Sequence, residues 1–261
     1  MRSLFIFITC TVIFCSCART DSPAKDFTPA VSNLSVALGD TSFTIQVSIF
    51  DSSSRLIFVH IHDDEQTAKN ATHRFLEHQG GTLISIQNNG ERLITFPFNG
   101  RSYTFDPNRM LTRKGIIESL QILQPFDEKA VPEVERFANS LLQKIPAKSY
   151  VIAMHNNTAN NYSVLSYLPN GSLQGEAEKV HVSKKMDPDD FVFTTDHRIF
   201  NGLQKRDISV VLQKEIPATD DGSLSILFGR RKIAYTNIEA EHNHINDQLQ
   251  LLEAVANIAA K

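Results

Sequence analysis

Apolar residues along this chain follow two rhythms, and the changes between them mark its elements. Over residues 41–49, Phe43, Ile45, Val47 and Ile49 alternate with polar neighbours, the period of a half-buried strand. Leu56 to Val59 is an unbroken apolar run, which predicts a more central strand over 55–60, buried on both faces. From 65 to 79 the spacing becomes helical, with Ala68, Ala71, Phe75 and Leu76 on one stripe and Gly80-Gly81 as its stop. Strand patterns return over 82–86 and 92–98, and Asn88-Asn89-Gly90 between them predicts a hairpin. Helices follow over 115–123 and 132–145, then strands over 150–154, 163–168, 208–212 and 233–239. A closing helix over 245–259 carries Ile245, Leu249, Leu252 and Ala256 on one stripe. Helices interspersed with strands and no internal repeat predict an α/β fold in one domain.

Composition changes the picture mainly at the N-terminus. The chain has 261 residues, 41% hydrophobic and 21% charged, with a formal net charge of −3. That is enough chain for a sizeable core, and no basic run of the density that nucleic acid requires is present. Residues 1–17 stand apart: Arg2 precedes an apolar run from Leu4 to Phe14, too short to span a bilayer, which predicts a secretory signal peptide. The expected products are an exported protein, periplasmic or at the outer surface, a tether and N-terminal segment over 18–40, and a catalytic domain over 41–261. Cys10, Cys15 and Cys17 all fall in the leader, so the mature chain offers no thiolate as nucleophile or metal ligand. Phe14-Cys15-Ser16-Cys17 loosely resembles a lipoprotein cleavage site, which would lipidate Cys17 and make a lipid anchor the membrane contact. A monomer is expected.

The candidate chemistry gathers where strands end. His62-Asp63-Asp64-Glu65 follows the apolar run at 56–59, and His155 follows the one at 150–154. A histidine and a carboxylate three apart are, taken alone, an ordinary solvated helix start. Two ligands close in sequence plus one distant ligand, with a fourth position left to water, is however the pattern of a catalytic zinc site. A structural site would want four closed ligands, usually with cysteine. Ligands of open α/β sheets sit at the C-terminal ends of strands, where both histidines are expected.

Between them lies Asp106-Pro107-Asn108-Arg109, ordinary turn chemistry by itself. Asp-x-Asn-Arg downstream of His-x-x-Glu and upstream of a strand-ending histidine resembles the zinc carboxypeptidase superfamily. His155-Asn156-Asn157-Thr158 is similar to the corresponding segment of its aspartoacylase and succinylglutamate desuccinylase branch. The resemblance spans roughly 56–242. It implies a mixed, mostly parallel twisted sheet flanked by helices, and Zn2+ on His62, Glu65 and His155. It implies that Asn108 and Arg109, with Asn156, bind a substrate carrying a free carboxylate. Such a substrate would be a small peptide or N-acyl amino acid, cell-wall peptides included. It also implies a catalytic glutamate on a late strand, Glu239 or alternatively Glu241, which alternation puts on one face. An arginine that polarises the scissile carbonyl is implied as well, Arg92 or alternatively Arg101; Arg92 is preferred because it opens a strand. The departures are Asp63-Asp64, which adds negative charge inside His-x-x-Glu, and a substrate-capping tyrosine that has no clear counterpart, since Tyr162, Tyr167 and Tyr235 read as core or strand residues.

Three rival readings stand beside this one. His60-Ile61-His62 is a His-x-His pair of the kind amidohydrolase barrels use, although that fold wants eight βα units and leaves Asp-Pro-Asn-Arg without a role. The pattern His-x-His-x-Asp-His of metallo-β-lactamases needs histidine where this chain has Glu65. A secreted or lipid-anchored binding protein with a degenerate site predicts the loss of a ligand. His73 and His78 are expected on a helix surface, and His242 and His244 in a loop.

Overall fold

The computed structural model describes residues 26–217 and 219–260; the leader and its three cysteines lie outside the described residues. One sheet of nine strands runs through the molecule in the order β1-β2-β4-β3-β7-β11-β9-β10-β8. Its centre is β3 (Leu56–His60), β4 (Thr82–Gln87), β7 (Tyr150–Asn157) and β11 (Tyr235–Glu241). β4 pairs in parallel with β3, β3 with β7 and β7 with β11, with Ile57 opposite Thr82, Val59 opposite Ala153 and Ile152 opposite Thr236. Every residue of β3 and β7 is buried, which the unbroken apolar runs require of strands covered on both faces. Toward the edges the sheet turns mixed. β1 (Ala30–Leu38) and β2 (Thr41–Ile49) are antiparallel over nine residue pairs, and β2 is antiparallel to β4. On the other flank β9 (Phe191–Thr194) opposes β11 and runs parallel to β10 (Val210–Gln213), which opposes the edge strand β8 (Ala177–His181).

Strand alternation sorts the core into two layers. Ile57, Val59, Val151 and Ala153 face α2 (Arg113–Leu123) and α3 (Val131–Leu142), along with the two-stranded sheet of β5 (Ile94–Phe98) and β6 (Arg101–Phe105). Leu56, Phe58, Ile152 and Met154 face the other way, against α1 (Gln66–Gln79), α4 (His197–Gln204) and α6 (Ile245–Ala259). The fold is thus an α/β domain with a mixed sheet, parallel at its centre and flanked by helices. Among the described residues no helix is long and apolar enough to cross a membrane.

Two expectations are corrected. The Asn88-Asn89-Gly90 hairpin does not form, because both edges of β4 are already taken by β2 and β3. The chain leaves the sheet there, and β5 pairs with β6 instead, from Ile94 opposite Phe105 to Phe98 opposite Arg101. Residues 163–168 are not a strand: Val164–Tyr167 is a 3-10 turn whose buried residues, Val164 and Tyr167, sit three apart, and Ser163 Oγ accepts the Leu165 N–H at 3.3 Å. The sheet begins at Ala30, within the span expected as tether and N-terminal segment. β8, β9, α4 and α5 (Leu224–Arg230) are elements the pattern did not announce.

Candidate active site

β3 ends at His60, and the next five residues form a tight turn into α1. Glu65 N–H donates to the His62 carbonyl at 3.2 Å and Gln66 N–H to the Asp64 carbonyl at 2.9 Å. His60 lies under this turn with Nε2 2.9 Å from the Glu65 carbonyl. Burial lowers its pKa to about 4, so the ring is neutral and that nitrogen donates to the carbonyl. Its Nδ1 is buried without a partner, so His60 braces the turn and does not join His62 as a ligand. Asp63 turns away from the site: Oδ2 accepts the N–H groups of Asn88 at 2.8 Å and Gly90 at 3.0 Å, and Oδ1 meets Lys69 Nζ at 2.9 Å. The Asn-Gly turn thus tethers the chain that delivers Arg92, and only Asp64 of the acidic pair lines the cavity.

Three donor atoms converge above the sheet. His62 Nδ1 lies 2.9 Å from Glu65 Oε1, and His155 Nδ1 lies 3.0 Å from Glu65 Oε2. The imidazoles stand edge to face, with centroids 5.2 Å apart. All three residues are buried, and one ligand atom from each lies within 4.8 Å of the others. The outer nitrogen of His62, Nε2, is 2.8 Å from Asp106 Oδ1. Burial alone would lower the His62 pKa, but the hydrogen bonds to Asp106 and Glu65 outweigh it and raise it to about 9. Burial alone would raise Glu65 and Asp106; His155 and His62 hold Glu65 well below the carboxylate range, and His62 holds Asp106 at about 2. Arg92 Nη1 adds a contact to Glu65 Oε1 at 2.6 Å.

This donor set fits zinc. Two imidazoles and one carboxylate are the ligands of a catalytic site, and tetrahedral bonds of about 2.1 Å put ligand atoms roughly 3.4 Å apart. Distances of 2.9 and 3.0 Å need to open by only a few tenths of an ångström. A carboxylate on the far nitrogen, as Asp106 is on His62, fixes the tautomer that leaves the inner nitrogen free to ligate.

Glu239 stands beside this cluster, because β11 and β7 are in register with Glu239 opposite His155. It is buried, and Asn237 Nδ2 donates to its Oε1 at 2.9 Å. Burial raises its pKa, His155 opposes that rise, and Glu65 reinforces it. Glu241 lies apart: its N–H donates to Asp190 Oδ1, and its carboxylate is 3.8 Å from His244 in a separate acidic cluster. Arg101 sits exposed on the β5–β6 hairpin, whereas Arg92 lines the cavity. Asn108 and Arg109 line it too, on the 3-10 turn Pro107–Arg109, where Asp106 accepts the Asn108 N–H at 2.8 Å. Arg109 Nη1 forms an ion pair with Asp221. The loop carrying Asp221 crosses this turn closely: Leu111 N–H donates to the Gly222 carbonyl at 2.9 Å, and a Cβ on Gly222 (φ +81°) would strike the Arg109 carbonyl.

Asn156 lines the cavity, as expected, and its amide is also engaged by the fold around it. Its Oδ1 accepts the Ala68 N–H at 2.9 Å, and Nδ2 donates to the Ala240 carbonyl at 3.1 Å and to Gln248 Oε1 at 3.3 Å. It braces α1, β11 and α6. Tyr167 and Tyr235 are buried core residues, Tyr235 on β11 with Tyr162 packed nearby as expected, and all three also line the cavity, whose volume is about 580 Å³. Asp106, Asn237 and Asp221 were not singled out by the sequence. Asp106 opens the Asp-x-Asn-Arg motif but was given no role of its own there, and Asp221 lies in a loop with no pattern.

No protein-family model matches the chain, and no curated protein matches it. Solved structures do. The ectoine utilization protein EutE (DoeB) from Ruegeria pomeroyi aligns over 92% of this chain and 70% of its own, at 11% identity and a TM-score of 0.49. A succinylglutamate desuccinylase from Silicibacter sp. TM1040 aligns over 92% and 69%, at 10% identity and 0.47. A succinylglutamate desuccinylase/aspartoacylase from Rhodobacter sphaeroides aligns over 92% and 68%, at 12% identity and 0.43. The last two carry names from the branch that the sequence motifs resemble. Likenesses at this level leave function to be read from the site.

Proposed function

We propose that this chain is a zinc-dependent hydrolase that cleaves an amide bond beside a free carboxylate, of the carboxypeptidase or N-acyl amino acid deacylase type. The observation that carries this reading is the convergence of His62, Glu65 and His155, with Glu239 in register beside His155. When bound, the metal supplies a Lewis acid that brings the pKa of a coordinated water toward neutrality. His62, Glu65 and His155 hold it, and Asp106 orients His62. Glu239, with a pKa raised by burial, takes a proton from the attacking water and passes it to the leaving amine. Arg92 steadies the oxyanion that develops on the carbonyl. Asn108 and Arg109 hold the substrate carboxylate, for which guanidinium offers a matching planar fork. The substrate is a small peptide or N-acyl amino acid, with cell-wall peptides suited to an exported, periplasmic or outer-surface protein. Loss of residues 1–17 from the native protein, read by mass spectrometry, tests the export.

The deciding experiment is elemental analysis and turnover of a panel of N-acyl amino acids by the zinc-loaded protein. One zinc per chain and hydrolysis are expected, with both lost in His155→Ala. Full zinc content in His155→Ala, or a loaded protein that cleaves no member of the panel, overturns the reading.

A further inference from the structure

Further along β11 than Glu239 stands a group of carboxylates that the hydrolysis does not use. Asp187, Asp189 and Glu241 each bring one oxygen within 4.8 Å of the others. Asp187 and Asp189 come from the loop before β9, and Glu241 from the end of β11. The Glu241 pKa is raised, by burial first and then by the carboxylates of Asp189 and Asp187, because like charges gathered closely disfavour ionisation. Among the described residues no lysine or arginine forms an ion pair with any of the three. His244 lies 3.8 Å from Glu241 but 3.0 Å from Asp190, its closer partner. Asp187 Oδ1 accepts the Asp189 N–H and Asp189 Oδ2 accepts the Asn160 N–H, so each keeps its second oxygen for another partner.

Carboxylates gathered at a surface are common, and Asn157 sets these apart. It is 7% exposed and stands in register opposite Glu241. Its Nδ2 donates to the carbonyls of Tyr162 at 3.0 Å and Asp189 at 2.6 Å. Two carbonyls fix the amide in one orientation, since a flip would set oxygen against oxygen. Its Oδ1, between the end of β11 and the 187–189 loop, is buried without a partner. A cation would satisfy that acceptor and neutralise the three carboxylates together. An ion is enclosed by its own ligands, so it needs no exposed surface on them; His62 and Glu65 have none either.

We propose that Asp187, Asp189, Glu241 and the amide oxygen of Asn157 form a second cation site, apart from His62, Glu65 and His155, and that it takes calcium. All four donors are oxygen, the chemistry of a hard cation, whereas two of the three donors in the other cluster are imidazole nitrogens. Calcium accepts an irregular shell of six to eight oxygens completed by water, while magnesium demands a near-ideal octahedron. The ion ties the ends of β7 and β11 to the 187–189 loop. Through Asn157 and Asn160 it also holds the segment that carries Tyr162 along the cavity wall.

Calorimetric titration of the purified protein with calcium chloride, and separately with magnesium chloride, tests the site without any turnover, so its outcome is independent of the hydrolase reading. One calcium per chain is expected, with a Kd on the order of 10⁻⁴ to 10⁻³ M and binding at least tenfold tighter than magnesium. Calcium should also raise the urea midpoint. Glu241→Gln, which removes one charged ligand, should weaken calcium about tenfold or more and leave zinc content unchanged. Asn157→Asp adds a charge at the ligand oxygen and should tighten calcium about tenfold. Without calcium that variant should be less stable than the native protein, and calcium should restore it. If Asn157 only braces the strand ends, the buried extra carboxylate destabilises the fold with and without calcium alike. No calcium binding, an equal response to magnesium, undiminished binding by Glu241→Gln, or an Asn157→Asp protein that calcium does not rescue overturns the proposal.

Discussion

At the scale of residues, the proposed metal site and the proposed carboxylate clamp make separable demands. In the metal-free protein His62 is raised from 6.5 to about 9 by its two carboxylate partners. Between those values the folded chain holds a proton that the unfolded chain has released. Stability from this residue is therefore fully present below about pH 6.5 and is lost as pH rises through about 9. The loss is on the order of 3 kcal/mol, since each pKa unit corresponds to about 1.4 kcal/mol. Urea denaturation in chelator from pH 6.5 to pH 9 should show this alkaline decline, and zinc should abolish it by taking the place of the proton. A metal-free protein equally stable across that range would contradict the pairing of His62 with Asp106 and Glu65. Arg109→Lys tests the clamp. Loss of the planar fork should cost on the order of 1.5–3 kcal/mol, roughly 10- to 150-fold in kcat/KM, on a free-acid substrate. It should cost little on the amidated form and leave zinc content unchanged. The half-exposed ion pair with Asp221 makes any stability loss small. An equal loss on both substrates would assign Arg109 to bracing alone.

At the scale of elements, Asn156 shows how one side chain serves both the cavity and the fold. α1 begins without a side-chain cap at Glu65, and the Asn156 amide supplies the acceptor for the Ala68 N–H instead. Asn156→Ala should destabilise the fold by about 1–3 kcal/mol in urea, with zinc affinity and kcat/KM of the folded fraction nearly unchanged. A selective loss of activity at full stability would return Asn156 to the substrate. His155-Asn156-Asn157 names the segment in the sequence, but only the structure reveals that the Asn156 amide, at the cavity, also holds α1, β11 and α6. The central elements were legible because long apolar runs and helical stripes are strong signals, as at Leu56–Val59 and 245–259. The Asn88–Gly90 hairpin misled because turn chemistry is local, whereas pairing is decided by which edges remain free. Leu34, Val36 and Leu38 alternate as a strand should, yet β1 falls within the N-terminal segment and was not singled out. The cluster's ligands could be read from spacing, but Asp106 could not, since its contact with His62 spans 44 residues.

At the scale of the molecule, one sheet with both faces covered presents the ends of β3, β7 and β11 to a single cavity. The apolar layers hold those strands in register, so the positions of His155 and Glu239 follow from packing far from the chemistry. Loops then decide what the cavity accepts. Arg92 arrives on the chain after the Asp63-tethered turn, Arg109 on a 3-10 turn, and Asp221 on the loop that crosses it.

The parallel pairing of β3, β7 and β11 also sets an order of assembly. Glu65 and His155 are 90 residues apart, and Glu239 lies a comparable distance further on. Closing such separations is slow compared with forming helices. A growing chain owns two of the proposed ligands early, gains the third only when β7 docks on β3, and receives Glu239, the proposed proton-transfer carboxylate, last, with β11. Zinc added to refolding protein should therefore be captured in a phase later than the rise of helical signal. Capture in the mixing time would mean that the ligands meet before the sheet does. In an exported chain the same order delays metal capture until most of the polypeptide has emerged, so the zinc it holds would be that of the compartment in which it folds.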